Sequence, residues 1–380
     1  MEKIDEAYYD KICGVLKGEP TIYQALFAKN YEEERLKFLN NKRENPIFAY
    51  NDFSLRRYGG ALRRIEGLKD SLKKGKPSIV KKLYSDKLDE LKLKIDMRYE
   101  IGKDSKRFHR LSSKLYSKPS PEEYKRSLIE FKKFNKKYKR IQKRFDSNVI
   151  KKVFNGILKD LGLEEWKAVI LKQSHSITIN AKHKNGPIIE IPETRRAGLL
   201  ELEQLVHHEI LTHLFRGISG QRSKLDLIGF FGTDNYIATE EGLAIFNEEW
   251  VLKKRKEKPT KFYFRGTIAI GAAMEGRNFR ETNDYLCSIG FSKYNAWKHT
   301  YRVFRGVSDT SKKESHICTL DWVYRKGNKN IKNLVKKRGN SVVDKLYIGK
   351  IGIKHLNIMK KLGIVKPALK RQYINIEKYL

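Results

Sequence analysis

Three histidines and one glutamate fall within seven residues, in the segment HHEILTH at residues 207–213. Imidazole nitrogens and carboxylate oxygens are common zinc ligands, and a carboxylate beside the metal can act as general base for a hydrolytic water. The familiar pattern H-E-x-x-H places two histidines on one face of a helix. Here one extra residue separates them, giving H-E-x-x-x-H. The residue types therefore indicate metal-assisted hydrolysis, but the spacing poses a geometric problem.

On an ideal α-helix, His208 and His213 would lie about 140° apart and could not hold one metal ion. A π-bulge, with i→i+5 hydrogen bonds, would return both imidazoles to one face, and such bulges are frequent at functional sites. The spacing therefore predicts a local π-turn, with Glu209 as the base. Two alternatives stay open. Glu209 and His213, spaced i,i+4, could be the ligand pair of a regular helix, or a surface helix could simply carry histidines, although burying them unpaired would be costly.

A catalytic zinc site needs a third protein ligand, and the segment ATEEGLA at residues 238–244 offers one. Glu240 and Glu241 are both candidates on spacing alone, and Gly242 beside them would let another helix approach closely. An acidic pair near a helix N-terminus is also favoured by the helix dipole. If one carboxylate is the ligand, the other would support the ligands by hydrogen bonding, as would His207.

The sequence around these motifs predicts a mostly helical α+β fold, with a small antiparallel sheet preceding the active-site helix. Apolar or alternating runs at residues 168–171, 176–180 and 187–191 predict the strands. Thr194 is a candidate cap for a helix over residues 195–215, which Gly217 and Gly220 would end. A second helix is predicted over residues 239–254. We divide the chain into a basic helical region, 1–165, packed on a catalytic domain, 166–380.

Amino-acid composition indicates which classes of partner the chain could bind, but not which reaction it could catalyse. The 380 residues carry 81 Lys and Arg against 45 Asp and Glu, a formal net charge of +36. Such a charge attracts an acidic peptide, nucleic acid or anionic lipid. Many of these lysines fall on helix faces that water would solvate in any case, so charge alone does not identify a function. The 18 Phe and 20 Tyr exclude a disordered chain.

The cysteines and the N-terminus indicate the compartment. Cys13, Cys287 and Cys318 form no C-x-x-C pair and are odd in number, which disfavours a disulfide framework and fits a reducing compartment. The N-terminal segment lacks the apolar core of a signal peptide. The most apolar stretch, residues 266–274, is too short to cross a bilayer. The sequence predicts a soluble cytoplasmic protein with no membrane association.

The H-E-x-x-x-H and E-E-G-L-A motifs together resemble those of the microtubule-associated tyrosine carboxypeptidase family and its bacterial relatives. Five further segments between about residues 40 and 355 resemble that family: NPIFAY at 45–50, LSSKLYSKP at 111–119, YRVFRG at 301–306, HICTLDWVYRKG at 316–327 and LYIGK at 346–350. Two residues depart from its pattern. Ser117 stands where the family has glycine, and Leu320 stands where it has lysine.

The resemblance implies a zincin-like zinc carboxypeptidase with one Zn²⁺ per chain. It places the ligands on His208, His213 and Glu241 and the base on Glu209. Eukaryotic relatives remove a C-terminal tyrosine from tubulin or trim glutamate chains. The resemblance therefore implies a substrate with a free C-terminal tyrosine, another aromatic residue or glutamate, on a peptide or an acidic protein tail.

Substrate contacts can be proposed from residue chemistry. Arg302 and Arg305 are candidates for the terminal carboxylate, because a guanidinium binds carboxylates in a bidentate fork. Tyr236 and Tyr324 are candidates for the oxyanion, which needs a donor besides zinc. The strand at residues 176–180 could hold the substrate backbone as an added strand.

Two other function classes use the same residues. The metal motif alone also fits an endopeptidase or aminopeptidase. The charge fits a nucleic-acid-binding protein with a non-catalytic metal site, although no helix-turn-helix, RNP or Cys/His-finger motif is present.

Overall fold

A computed structural model describes residues 22–40, 44–135, 144–172, 176–257 and 263–380. Cys13 and the N-terminal segment interpreted above lie outside these residues. The two described cysteines, Cys287 and Cys318, are not disulfide-bonded. Within the described part of the chain, no helix combines the length and the apolar character needed to cross a membrane.

Helices dominate the secondary structure, as the α+β prediction requires, and the strands are short. The α-helices are α1 (Ile22–Ala25), α2 (Tyr31–Asn40), α3 (Leu55–Lys73), α4 (Ile79–Tyr99), α5 (Ser105–Tyr116), α6 (Pro121–Asn135), α7 (Ser147–Asp160), α8 (Leu199–Leu205), α9 (Phe215–Gln221), α10 (Tyr236–Arg255), α11 (Phe264–Met274), α12 (Phe279–Ser288), α13 (Lys293–Phe304), α14 (Trp322–Arg338), α15 (Val342–Lys345) and α16 (Leu356–Lys361). The strands are β1 (Arg144–Phe145), β2 (Lys167–Leu171), β3 (Thr178–Asn180), β4 (Ile188–Pro192) and β5 (Ala197–Gly198). A π-helix spans Val206–Leu214, and 3₁₀ turns lie at Asp226–Ile228, Leu346–Ile348, Ile353–His355 and Glu377–Tyr379.

The chain forms two compact units that are interleaved in sequence. The sheet unit comprises the described residues of 139–260 together with 327–380, and the helical unit those of 3–138 together with 261–326. Composition had suggested a single boundary at 165/166. The structure divides the chain differently, because residues 261–326 fold with the N-terminal helices. Local amino-acid composition does not indicate that a later segment packs with an earlier one.

The helical unit has an aromatic core. Phe38, Phe48, Phe279 and Trp297 are buried, and the ring centroids of Phe279 and Trp297 lie 5.1 Å apart. Aromatic pairs at this separation add to the free energy gained from burial alone. Gly306 donates its backbone N–H to the Tyr50 hydroxyl at 2.8 Å. Two segments that carry the family resemblance, NPIFAY and YRVFRG, therefore meet inside this unit.

One departure from the family pattern has a conformational cost. Ser117, where the family has glycine, follows α5 with a φ of +59°. Glycine adopts positive φ without the clash that a Cβ introduces. The Ser117 hydroxyl donates to the Tyr116 carbonyl oxygen at 2.6 Å and accepts from Lys326 Nζ at 3.0 Å. These hydrogen bonds partly offset the strain.

The three-stranded sheet of the sheet unit is mixed, not antiparallel as predicted. The strand order is β2-β4-β3; β3 pairs antiparallel with β4, with Thr178 opposite Glu190, but β2 pairs parallel with β4, with Lys167 opposite Ile188. The predicted turn between β3 and β4 is present, and Gly186 supplies its positive φ of +95°. An apolar pattern indicates where a strand lies but does not specify the direction in which it pairs.

The helix that carries the HHEILTH segment is longer than predicted and begins later. α8, the π-helix and α9 follow one another from residue 199 to residue 221, after the Gly198 cap. Gly217 and Gly220 do not end it. A Cβ on Gly217 would lie 2.3 Å from Phe230, and one on Gly220 would lie 2.0 Å from the Ile228 carbonyl oxygen. Both glycines are needed for close packing of the segment that follows.

Another helix crosses α10 closely at Gly242, as the glycine at this position predicted. The neighbour is Gly327 in α14: a Cβ on Gly242 would lie 2.1 Å from the Gly327 carbonyl carbon, and one on Gly327 would lie 1.8 Å from the Ala238 carbonyl oxygen. The two backbones touch with no side-chain layer between them. This contact fixes the position of the helix that carries Glu240 and Glu241.

We expect Gly327→Ala to lower the free energy of unfolding by about 1–3 kcal/mol, because the methyl group has no room at the crossing. The matched control is Gly67→Ala on the exposed face of α3, where a Cβ meets nothing within 4 Å. That change should raise the free energy of unfolding by roughly 0.5–1 kcal/mol. Urea denaturation of both variants measures the difference. Equal stabilities would rule out the close crossing.

Candidate metal centre

The π-helix brings His208 and His213 onto one face. Their ring centroids lie 4.7 Å apart, although five residues separate them. The Thr212 hydroxyl donates to the His207 carbonyl oxygen, five positions back, at 2.7 Å. Asn247 of α10 in turn donates its amide to Thr212 Oγ1 at 2.7 Å. The π-turn predicted from the H-E-x-x-x-H spacing is confirmed, and a side-chain hydrogen bond adds to its backbone bonding.

Glu241 completes a cluster of three candidate ligands. Its Oε2 lies 3.6 Å from His208 Nε2 and 3.9 Å from His213 Nε2. Donor atoms of these three residues all lie within 4.8 Å of one another. Glu209 is not in the cluster, so the alternative ligand pair of Glu209 and His213 is not the one that the fold assembles.

Two further carboxylates hold the outer nitrogens of the histidines. His208 Nδ1 lies 2.7 Å from Glu248 Oε1, and His213 Nδ1 lies 2.8 Å from Glu240 Oε1. A carboxylate that accepts from Nδ1–H leaves Nε2 deprotonated and available to a metal ion. Both Nε2 atoms face Glu241.

The carboxylates dominate the electrostatics of this cluster. Burial by itself would lower the pKa of His208, but the nearby carboxylates of Glu241 and Glu248 hold that pKa well above the usual value. Burial favours neutral Glu241, yet His208 and His213 hold its pKa below the usual value. The site therefore favours positive charge at its centre.

Glu240 is fixed by two buried cations. Arg216 pairs with its Oε2 and is itself fully buried, and Lys350 Nζ lies 2.7 Å from its Oε1. Although burial raises the pKa of Glu240, Arg216 and Lys350 bring it well below the usual range. Arg216 also donates to the Leu346 and Ile351 carbonyl oxygens, each at 2.8 Å. The carboxylate that orients His213 is thus ionised and held on both sides.

The donor set fits a zinc ion. Tetrahedral Zn²⁺ with ligands at about 2.0–2.1 Å would separate donor atoms by about 3.3–3.4 Å, close to the two Nε2–Oε2 distances above. Glu241 Oε2 is buried and has no hydrogen-bond partner. A buried carboxylate oxygen without a partner is costly, and a cation between it and the two imidazoles would satisfy it.

Glu209 stands beside the cluster with its carboxylate unengaged. It is half-buried, and it makes no hydrogen bond to any residue that the structure describes. Burial raises its pKa, and the charges of His208 and His213 oppose that shift. A carboxylate with a raised pKa and no partner is suited to accepting and returning a proton.

Three residues of this site escaped the sequence analysis: Glu248, Arg216 and Lys350. Glu248 follows Glu241 by seven residues, which returns it to the same face of α10. Arg216 follows His213 by three residues and also shares a helix face. Lys350 lies in the LYIGK segment, where only the tertiary fold assigns it a role.

His207 and Tyr236 lie elsewhere in the sheet unit. His207 Nε2 is 3.3 Å from the Ile374 carbonyl oxygen, and burial lowers its pKa to about 4. It thus faces the C-terminal segment and makes none of the ligand hydrogen bonds expected of it. Tyr236 packs against Gly232, where a Cβ would lie 2.5 Å from the tyrosine ring.

The remaining predicted substrate residues belong to the helical unit. Arg302 Nη2 and Arg305 Nη2 each donate to Asp321 Oδ1 at 2.8 Å. Burial disfavours the charged form of Asp321, but the two arginines lower its pKa to about 2. Tyr324 stacks on Tyr263 with ring centroids 6.2 Å apart. Two guanidinium groups share one carboxylate, so one positive charge of the cluster stays uncompensated by Asp321.

Comparison with known families agrees with the motifs. The sequence model of one family, described as microtubule-associated tyrosine carboxypeptidase, matches residues 37–375. No curated protein matches the chain significantly in sequence. The matched span contains the whole candidate metal centre, and the resemblance inferred from the motifs is confirmed.

Proposed function

The chain belongs to the microtubule-associated tyrosine carboxypeptidase family, and from that premise we propose that it is a zinc-dependent carboxypeptidase. Its substrate would be a peptide or protein with a free C-terminal tyrosine, another aromatic residue or glutamate. The observation that carries the proposal is the convergence of His208, His213 and Glu241, with the unpartnered Glu241 oxygen between the imidazoles.

Each residue of the cluster then has a role. Zn²⁺ held by His208, His213 and Glu241 would polarise the scissile carbonyl and acidify the attacking water. Glu209 accepts a proton from that water and returns it to the departing amine. Glu248 and Glu240 keep the two imidazoles oriented and Nε2 deprotonated. Arg216 and Lys350 keep Glu240 ionised.

The sheet supplies a place for the substrate backbone. β3 is an edge strand, it contacts the π-helix, and Thr178 is exposed. An extended peptide can pair with such an edge through main-chain hydrogen bonds. A helix bearing two ligands beside an edge strand supports the zincin-like interpretation.

The C-terminal carboxylate of the substrate needs a positively charged side chain that can bind it. A carboxypeptidase must bind a free carboxylate, and we assign that contact to Arg302 or Arg305. Asp321 orients both guanidinium groups and leaves one net positive charge. Tyr236 or Tyr324 would donate to the oxyanion.

The proposal is tested by incubating the chain with a library of free-acid peptides and with the same peptides amidated at the C-terminus. Mass spectrometry should show shortening from the C-terminus of the free acids only, and a chelator should abolish it until zinc is restored. Internal cleavage would identify an endopeptidase, and shortening from the N-terminus an aminopeptidase. No cleavage of any free acid would contradict the proposal.

Zinc should also stabilise the fold without any substrate. At a free concentration one hundred times its Kd, a ligand that binds only the folded state adds about 2.7 kcal/mol. We therefore expect Zn²⁺ to raise the Tm of the metal-free protein in calorimetry, and the His208→Ala variant to show no such rise. An equal rise in both proteins would place the ion elsewhere.

A further inference from the structure

A groove runs along α10 on a face that the metal centre does not use. It has a volume of roughly 500 Å³, and it lies within the sheet unit. It is lined by Phe246, Glu249, Trp250, Lys253, Lys332, Val335, Lys336, Asn340 and Arg371. On an α-helix its α10 residues are centred roughly 130° from Glu241, whereas Glu248 returns to within about 20° of it. The groove therefore lies on a different face of α10 from Glu241.

Arg371 lines the groove and contacts its aromatic residues. Its guanidinium carbon lies 4.0 Å from the centroid of the Trp250 ring and 5.4 Å from that of Phe246. Its Nε donates to Asn247 Oδ1 at 2.9 Å. A guanidinium stacked on an indole and held through Nε has its planar fork fixed in advance.

The fork of Arg371 has no partner of opposite charge. Among the residues that the structure describes, no carboxylate lies within ion-pair distance of it, and its two amino groups make no hydrogen bond. Burial lowers the pKa of Arg371. A half-buried cation whose amino groups have no protein partner among the described residues favours an anion in the same place.

The rim of the groove adds charge of the same sign. Lys253, Lys332 and Lys336 are exposed along it, and Glu249, paired with Lys332 at 2.7 Å, is the one acidic residue in the lining. The groove thus presents four basic side chains against one carboxylate. Lys332 and Lys336 are one turn apart on α14, a rise of about 6 Å, so the basic side chains are spaced for several carboxylates of an extended chain and not for a single small anion.

We propose that this groove docks a carboxylate-rich peptide segment, with one carboxylate bound bidentately by Arg371 and its neighbours held by the lysines of the rim. The inference builds on the proposed function: the segment would belong to the protein substrate, at a distance from the bond that is cut. Docking there raises the local concentration of the substrate's C-terminus. It gives the enzyme a preference for acidic proteins that the metal centre does not itself confer.

The test uses an N-terminally fluorescein-labelled octaglutamate with an amidated C-terminus, which a carboxypeptidase does not shorten. Fluorescence anisotropy should show saturable binding that weakens as salt is raised from about 0.1 to 1 M, where the Debye length falls from about 10 to 3 Å. Arg371→Gln should raise the Kd at least about tenfold, since a desolvated charge contact is lost.

A second variant guards against misfolding at the half-buried arginine. Lys332→Glu with Lys336→Glu changes only exposed positions and should also raise the Kd by about tenfold. Lys360→Glu with Lys361→Glu on α16 makes the same change in charge outside the groove and should alter the Kd little. Binding that is absent, or that all these variants affect equally, overturns the proposal. Tighter binding of oligothymidylate with the same dependence on the groove would also overturn it, in favour of nucleic acid.

Kinetics separate this proposal from the proposed function. With free-acid peptides, the groove variants should reduce the ratio of kcat/KM for an acidic tail to that for a neutral tail, chiefly through KM. The anisotropy assay needs no catalysis and is unchanged in Glu209→Gln. Docking without hydrolysis would contradict the proposed function only, and hydrolysis without docking would contradict the groove only.

Discussion

Replacing Glu209 with glutamine should lower kcat for peptide hydrolysis by about 10²- to 10⁴-fold, the usual contribution of a general base. The amide keeps the shape of the side chain but cannot accept the proton of the attacking water. Because Glu209 lies outside the cluster of candidate ligands, zinc content should remain at about one ion per chain. Metal analysis and steady-state kinetics on the same preparation measure both quantities.

The same variant discriminates between the two ligand sets that the spacing allowed. If Glu209 and His213 were the ligand pair, Glu209→Gln would lose the metal together with the activity. His213→Ala is the matched control, since it should lose the metal under either assignment. A Glu209→Gln enzyme with undiminished kcat would place the base on another residue.

Glu240→Gln should cost the metal-free protein about 3–5 kcal/mol of its free energy of unfolding, because it leaves buried cations without their counter-charge. Arg216 is fully buried, and Lys350 is 8% exposed. Neither can recover full hydration while the fold persists. Urea denaturation at neutral pH measures the loss.

Its neighbour Glu241 provides the control. Glu241→Gln removes a carboxylate whose charged neighbours are the two histidines and not the buried cations that hold Glu240, so the metal-free variant should lose less stability than Glu240→Gln while losing affinity for zinc. The loss of stability is therefore expected to be larger for Glu240→Gln, and the loss of zinc affinity larger for Glu241→Gln. Equal losses of stability would contradict the different roles assigned to the two carboxylates.

The loss of unfolding free energy caused by Glu240→Gln should become smaller as the pH is lowered. The folded-state pKa of Glu240 lies well below its usual range, so its contribution to stability is fully present above the unfolded-state pKa of about 4.3 and is lost as pH falls below it. The difference between wild type and variant should therefore be constant near neutrality and shrink in acid. A difference that grew in acid would contradict an ionised Glu240.

The π-turn could be predicted once His208 and His213 were taken as the ligand pair. His208 and His213 can face a common point five residues apart only if the helix widens between them. The family motifs then selected Glu241 over Glu240, which spacing alone left open. In the structure the two residues are arranged with Glu241 toward the imidazole Nε2 atoms and Glu240 toward the Nδ1 atom of His213.

The parts that could not be predicted depend on contacts distant in sequence. β2 and β4 are hydrogen-bonded neighbours in the sheet, although β3 lies between them in the sequence. No local sequence pattern encodes that choice of neighbour. Lys350 reaches Glu240 from 110 residues further along the chain. Each unit is built from segments that are distant in the sequence. Which residues belong to which unit therefore depends on tertiary contacts and not on local composition.

The widened helix turn also bears on how this site can change during evolution. A π-turn takes up one extra residue while the regular helix on either side stays in phase. Deleting one residue between His208 and His213 would therefore let an ordinary α-turn form and restore the five-residue motif, with both histidines still on one face. Arg216 would still point toward Glu240, and Ser219 would still accept the backbone N–H of Leu369, a hydrogen bond of 3.1 Å in this structure. The two spacings are therefore expected to be interconvertible by a single insertion or deletion that leaves the contacts on either side in place.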